Sequence, residues 1–247
     1  MQEFATKTIR EIALEAPLTT RVFEEFKIDF CCGGRVPFAE ACEKAGVDPA
    51  VMASRLATVV ENAKAQGPVR GDQRSQSELI EFIVATHHAF TREELARLAP
   101  LAAKVAGKHG ENHPELFEIK RLFDEISVEL MPHMAKEEAV LFPYIEQLER
   151  AVAAGRTPPM PHFGTVQNPV RMMMFEHEAA GDILKKMREL SNGYSAPEDA
   201  CPSFKGLYAG IEDLERDLHR HIHLENNILF PRAIETETSV WAGAASI

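Results

Sequence analysis

Apolar positions recur along this 247-residue chain at helical spacing, first in short runs and then in long ones. Thr8-Ile9-Arg10-Glu11 is a capping box, in which the Thr hydroxyl and the Glu carboxylate satisfy backbone N–H groups that a helix start leaves open. It predicts a short helix that stops before Pro17. Val22, Phe23 and Phe26 mark a second helix, and Phe38, Ala41, Cys42 and Ala45 a third. Between them, Ile28 to Gly34 reads as a turn. Asp48-Pro49 gives an N-cap followed by a proline at the first helical position, so a fourth helix runs from there to about Ala65. Residues 1–66 thus read as a small helical domain. The Gly-, Pro- and polar-rich stretch from Gln66 to Gln76 reads as a linker.

A second capping box, Ser75-Gln76-Ser77-Glu78, opens a long helix with Leu79, Ile80, Ile83 and Val84 on its apolar face. That helix carries His87 and His88, is expected to kink at Pro100, and ends at Gly110. The next runs from near Pro114 to about Ala151, with a kink expected at Pro132. A proline- and glycine-rich crossover over residues 155–169 follows. A third long helix starts near Asn168-Pro169, carries His177 and ends before Asn192-Gly193. The fourth starts near Pro202-Ser203 and is expected to stop at Pro231. The fold class is therefore all-α, with residues 75–235 as a four-helix bundle.

Composition supports this reading and narrows the partners. Aromatic residues make up only 7% of the chain, and the formal net charge of -11 argues against nucleic acid. That charge suits a cation as ligand. No apolar run reaches membrane-spanning length and Met1 to Arg10 lack the core of a signal peptide, so a cytoplasmic location is expected. The four cysteines, Cys31, Cys32, Cys42 and Cys201, are expected to be reduced there.

The candidate chemistry lies in a repeat. His133 to Pro143 reads HMAKEEAVLFP, and His221 to Pro231 reads HIHLENNILFP. In each copy a Glu follows the His by four residues, so His133 and Glu137 share one helix face, as do His221 and Glu225. The repeat extends upstream. His221 lies 88 residues after His133, and His177 lies 89 after His88, which favours His88 over its neighbour His87. Leu95 and Leu184, then Leu98 and Met187, keep the same offsets from those two histidines.

Each half thus contributes one lone His and one His-x-x-x-Glu. One such motif alone reads as an ordinary amphipathic helix; two in register read as a metal centre. Four imidazoles and two carboxylates suit two ions with bridging carboxylates and open positions, which favours a redox-active iron pair. Structural zinc would more often take cysteines in a closed set. Ferritin-like di-iron proteins use Glu-x-x-His, the reverse order. Glu129, one turn before His133, and Glu176, next to His177, read either as hydrogen-bond partners or proton relays for the ligands or as ordinary solvated side chains. His219 and His223 lie off the ligand face, while His109, His113 and His162 read as solvated.

The bundle resembles a hemerythrin-like domain. The stretch FKIDFCCGG from Phe26 to Gly34, with Ala39 to Cys42 after it, resembles the small domain that precedes such a bundle in the repair of iron centres (RIC) family. This resemblance implies a di-iron protein, with two iron ions on His88, His133, Glu137, His177, His221 and Glu225. It implies a homodimer that restores iron–sulfur proteins damaged by nitric oxide or oxidants. The set is one histidine short of the oxygen-carrying hemerythrins, which implies more open and more labile ions. Cys31 and Cys32 fall on the family's cysteine pair.

Neighbouring cysteines close only a strained ring, so the pair reads as a dithiol that passes iron or electrons. Two small residues buried in a turn is the plainer alternative. Cys42 reads as core, and Cys201 has no assigned role. Iron supply to damaged clusters leads, because a gas-reducing or gas-binding bundle has no need of the cysteine domain. Nitric oxide reduction at the di-iron site, and oxygen or nitric oxide binding or sensing, are the alternatives.

Overall fold

Thr8 and Ser75 each start a helix as their capping boxes predict. Thr8 Oγ1 accepts the Glu11 N–H at 3.2 Å and the Thr8 N–H donates to Glu11 Oε2 at 2.7 Å. Ser75 and Glu78 pair in the same reciprocal way at 3.1 and 2.8 Å. The computed structural model describes residues 2–30, 34–66 and 74–244, and the described residues form helices without a β-sheet.

The N-terminal unit consists of α1 (Gln2–Ala5), α2 (Ile9–Glu15), α3 (Thr20–Glu25), α4 (Phe38–Ala45) and α5 (Pro49–Gln66). α4 ends on Gly46 at φ 66, a left-handed position that glycine fills without Cβ strain. Phe23, Phe30, Phe38, Cys42, Met52 and Leu56 form its core, together with Ile222 from the bundle. Burying one Ile contributes about 1.5–3 kcal/mol. Arg220 pairs with Glu24 through two hydrogen bonds of 2.8 and 2.7 Å, and Phe30 meets His219 and His223 edge-on. The unit is therefore docked on the bundle. The linker reading falls mostly on residues 67–73, which lie outside the described residues.

Four long rods form the bundle. The first joins α6 (Gln76–Phe82), a π-helical segment Ile83–His88, and α7 (Ala89–His109). The second joins α8 (Glu115–Lys136), a π segment Glu137–Leu141, and α9 (Phe142–Ala153). The third is α10 (Gln167–Leu190). The fourth joins α11 (Pro202–Leu224), a π segment Glu225–Leu229, and α12 (Phe230–Ala244). No helix among the described residues is long and apolar enough to cross a membrane.

Pro231 acts differently from the sequence expectation. The fourth rod does not stop at Pro231, and the second continues likewise past Pro143. At both places the preceding Phe bonds five residues back, Phe142 N–H to Glu137 O and Phe230 N–H to Glu225 O. The wider π turn makes room for a ring that would strike the carbonyl four residues earlier, and the proline has no N–H to lose. Helices α7 and α8 run on through Pro100 and Pro132, both of which are exposed. Past Pro231, α12 brings the buried Glu237 to the crossover, where it accepts from Tyr144 Oη, the Thr165 hydroxyl and the Val166 N–H.

Two apolar layers fill the bundle. One contains Leu98, Phe123, Ile126, Leu184 and Ile211, the other Leu79, Ile83, Phe142, Met173 and Phe230. Along every rod the switch between layers falls at a histidine, so the polar residues form one stratum between two hydrophobic ones.

Candidate metal centre

His88 ends the first π segment, His133 lies in the last turn of α8, His177 sits mid-way along α10, and His221 lies in the last turn of α11. Glu137 and Glu225 open the two other π segments. All six are buried, none more than 2% exposed. They fall into two overlapping sets: His88, Glu137, His221 and Glu225, and His133, Glu137, His177 and Glu225. Within each set one ligand atom per residue lies within 4.8 Å of all the others. Each set takes one imidazole from each half of the repeat, and both carboxylates belong to both sets.

The donor atoms converge in a way that needs positive charge between them. His88 and His221 bring their Nε2 atoms to 3.1 Å, and His133 and His177 bring theirs to 3.0 Å. His88 Nδ1 lies 2.6 Å from Glu138 Oε1, His133 Nδ1 2.7 Å from Glu176 Oε2, and His177 Nδ1 2.9 Å from Asn226 Oδ1. Those oxygens accept, so the Nδ1 atoms carry the protons and the Nε2 lone pairs face the centre. Both Glu137 oxygens and Glu225 Oε2 are buried without a hydrogen bond. Buried carboxylate oxygens in that state are costly unless a cation meets them. Nitrogen and oxygen donors of this kind fit divalent first-row metals.

Without a metal, protons fill that role. Burial pulls the His88 imidazole down, but Glu137 and Glu225 outweigh it and raise it to about 10. Burial likewise opposes His177, which Glu225 and Glu137 raise to about 9. Burial and the neighbouring Glu225 push Glu137 up. Burial also works against the Glu225 anion, yet His221, His177 and His88 hold it well below the usual carboxylate range.

Residues 79–233 match the model of the hemerythrin HHE cation binding domain, and residues 5–60 match that of a domain of unknown function, DUF542. A protein of Haemophilus influenzae named "Probable iron-sulfur cluster repair protein" is 34% identical over 231 residues, covering 94% of this chain and 98% of the relative. The iron-sulfur cluster repair protein YtfE of Escherichia coli O157:H7 is 33% identical, covering 95% and 99%. The iron-sulfur cluster repair protein ScdA of Staphylococcus haemolyticus is 31% identical, covering 90% and 95%. The chain belongs to the iron–sulfur cluster repair protein family.

In this family member the six residues singled out by spacing meet at one centre, and Glu176 reaches it through His133. Glu176 also binds Lys136. Glu129 does not touch a ligand. It is exposed and, with Glu176, Lys136 and Phe175, lines a cavity of about 350 Å³ that reaches His133 and His177. His87 stays out of both sets and pairs with Asp217 at 3.0 Å. His219 and His223 face Phe30, and burial, ahead of Arg10, pushes His223 down to about 4. Cys42 is core, and Cys201 starts α11 at the far end of the bundle, 3.2 Å from His109 Nε2. Cys31 and Cys32 lie outside the described residues.

Sequence reasoning missed Glu138 and Asn226, although the repeat marks both. Each directly follows a shared carboxylate and holds the lone His of its own half. It also missed the work of the Leu-Phe-Pro frame. Phe142 stacks on His88 at 5.8 Å and Phe230 on His177 at 6.2 Å, so each half wedges its lone imidazole with the Phe of that frame.

Proposed function

We propose that this chain binds two iron ions and supplies iron to iron–sulfur clusters damaged by nitrosative or oxidative stress. The observation that carries this reading is the pair of shared, buried carboxylates, three of whose oxygens lack hydrogen bonds, facing two converging imidazole pairs. The names of the repair proteins it resembles support the direction. His88 and His221 would hold one ion and His133 and His177 the other, with Glu137 and Glu225 available to both. Bound iron is at once the ion these residues hold and the cargo delivered.

The chain's own groups do the remaining work. Glu138, Glu176 and Asn226 fix the imidazole tautomers and orientations. The two apolar layers keep water from the carboxylates. Cys31 and Cys32, reduced in a cytoplasmic setting, pass iron on, because soft thiolates bind it transiently and are the ligand type of the acceptor cluster. The cavity at His133 and His177 favours a second reading, nitric oxide reduction at the same centre, since a small gas has a way in.

Anaerobic metal analysis with Mössbauer spectroscopy should give a coupled pair of irons per chain. Cluster reconstitution without nitric oxide then separates the readings. Cys31→Ser with Cys32→Ser should keep the iron pair and lose repair. Equal repair by wild type and double mutant would remove the dithiol. No repair by either, with nitric oxide consumed by both, would replace iron supply with gas removal.

A further inference from the structure

One imidazole of the centre lacks an outer partner. His88, His133 and His177 each place Nδ1 against an acceptor, but His221 Nδ1 is buried with none. An imidazole that binds metal through Nε2 carries its proton on Nδ1, and burying that N–H unpaired is costly. A matching orphan lies one helical turn away. Asp217 stands four residues before His221 on α11, so the two share a face, and Asp217 Oδ2 is buried without a hydrogen bond. Its other oxygen, Oδ1, is 3.0 Å from His87 Nδ1. The His87 ring lies parallel to that of His221, with centroids 5.8 Å apart.

The repeat gives these two residues their meaning. Asp217 lies 88 residues after Glu129, and Glu176 lies 89 after His87, the offsets that relate the ligands themselves. His87 and Asp217 therefore stand beside His221 where Glu176 and Glu129 stand beside His133. On the cavity side, the residue preceding the lone His, Glu176, accepts from His133 directly. On the other side that place holds a histidine whose Nδ1 is already engaged. The free acceptor there is the other member of the pair.

We propose that Asp217 is the positioning residue for His221. Its Oδ2 accepts the Nδ1–H of the metal-bound imidazole, directly or through one water, while His87 steadies Oδ1. Asp217 thereby sets the hold on the ion at the His88–His221 position separately from the other ion. This rests on the two-ion reading above. It gives His87, which ligates nothing, a task that removing its ring does not make essential: Asp217 keeps its place beside His221 without it.

The test is an anaerobic titration of the full-length protein with Fe²⁺ against a competing chelator. Asp217→Leu should leave one ion at wild-type affinity and weaken the other ~10–100-fold. Asp217→Asn, which keeps an acceptor oxygen, should bind both ions as wild type does, and His87→Phe should retain both. In the Co²⁺-loaded protein, proton NMR should show one exchangeable, hyperfine-shifted imidazole N–H lost in Asp217→Leu and restored in Asp217→Asn. A packing defect would weaken both ions together and would not follow the acceptor oxygen. Unchanged binding in Asp217→Leu, equal loss of both ions, or Asp217→Asn as weak as Asp217→Leu would overturn the proposal. A wild type that binds fewer than two ions would overturn the two-ion reading, and this inference with it.

Discussion

His133 and His221 occupy the same place in the two copies of the repeat, but their outer nitrogens meet different surroundings. His133 Nδ1 faces Glu176, whose side chain is 27% exposed and paired with Lys136 beside the cavity. His221 Nδ1 is buried without a hydrogen bond, on a covered side of the bundle where the neighbouring His87 and Asp217 are 6% and 17% exposed and the N-terminal unit packs on Ile222. Next to water a carboxylate can hold an imidazole and a lysine at once. On the covered side an unpaired carboxylate would be costly, and a His–Asp pair stands there instead. The N-terminal unit packs on α11 at Ile222, next to His221, whereas the cavity opens at His133 and His177.

The harshest test of this two-position view is loss of a shared ligand. Glu137→Ala or Glu225→Ala should take bound iron from two ions per chain towards none, because each carboxylate serves both sets. Metal analysis after anaerobic loading reads this directly. Retention of one ion would mean that the carboxylate belongs to one position only. His87→Ala should keep both.

Protons come next. With one imidazole raised to about 10 in one set and one raised to about 9 in the other, the metal-free centre holds protons at neutral pH. Loading must expel them, so affinity should rise with pH, about tenfold per unit for each proton displaced. Calorimetry in buffers of different ionisation heat counts those protons; none released would contradict the raised imidazoles. Metal-free stability should run the other way. A group whose pKa rises from 6.5 on folding contributes fully below 6.5, and that contribution fades as pH climbs through 9 to 10. Denaturant midpoints of the apo protein should fall over that window.

Outer partners should act on one position at a time. Glu176→Leu should weaken only the ion at His133 and His177, and Glu138→Leu only the ion at His88 and His221, each by ~10–100-fold. Glu176→Gln, which retains an acceptor, should lose less. Two-site chelator competition distinguishes this from a uniform loss, which would erase the difference between the positions.

What the sequence disclosed and what it hid divide along physical lines. Helix starts were legible because Thr8 with Glu11 and Ser75 with Glu78 satisfy local backbone groups, and local geometry decides them. The six centre residues were legible because the repeat puts each His-x-x-x-Glu pair on one helix face and marks a lone His at a matching offset in each half. The π turns were not, since Pro231 reads equally well as a stop until the bond from the preceding Phe is known. Nor was the docking of the N-terminal unit. Ile222 is one apolar residue among several on α11, and only its packing against Phe30 and its neighbours reveals the contact. Glu129 and Glu176 looked alike in sequence. Their difference comes from which of them reaches a ring nitrogen across the bundle.

The smallest expected effect probes where the halves agree. Phe142 on His88 and Phe230 on His177 are both buried and stack nearly parallel to their rings, at 20° and 3°. Each sits on the frame of its own half, away from the sides where Glu176 and His87 break the symmetry. Phe→Leu at either place keeps an apolar filling but removes ring contact and leaves a small void. The cost should be about 1–2 kcal/mol each, nearly the same for both, read as a shift in denaturant midpoint with unchanged slope. Ion binding should weaken slightly and alternately: the His88–His221 position in Phe142→Leu, the His133–His177 position in Phe230→Leu. If the two variants differ by several kcal/mol, the asymmetry reaches the wedges as well as the outer partners. If they match, it is confined to the residues around Nδ1 of His133 and His221, and a difference between the two positions is a property of the outer hydrogen bonds alone.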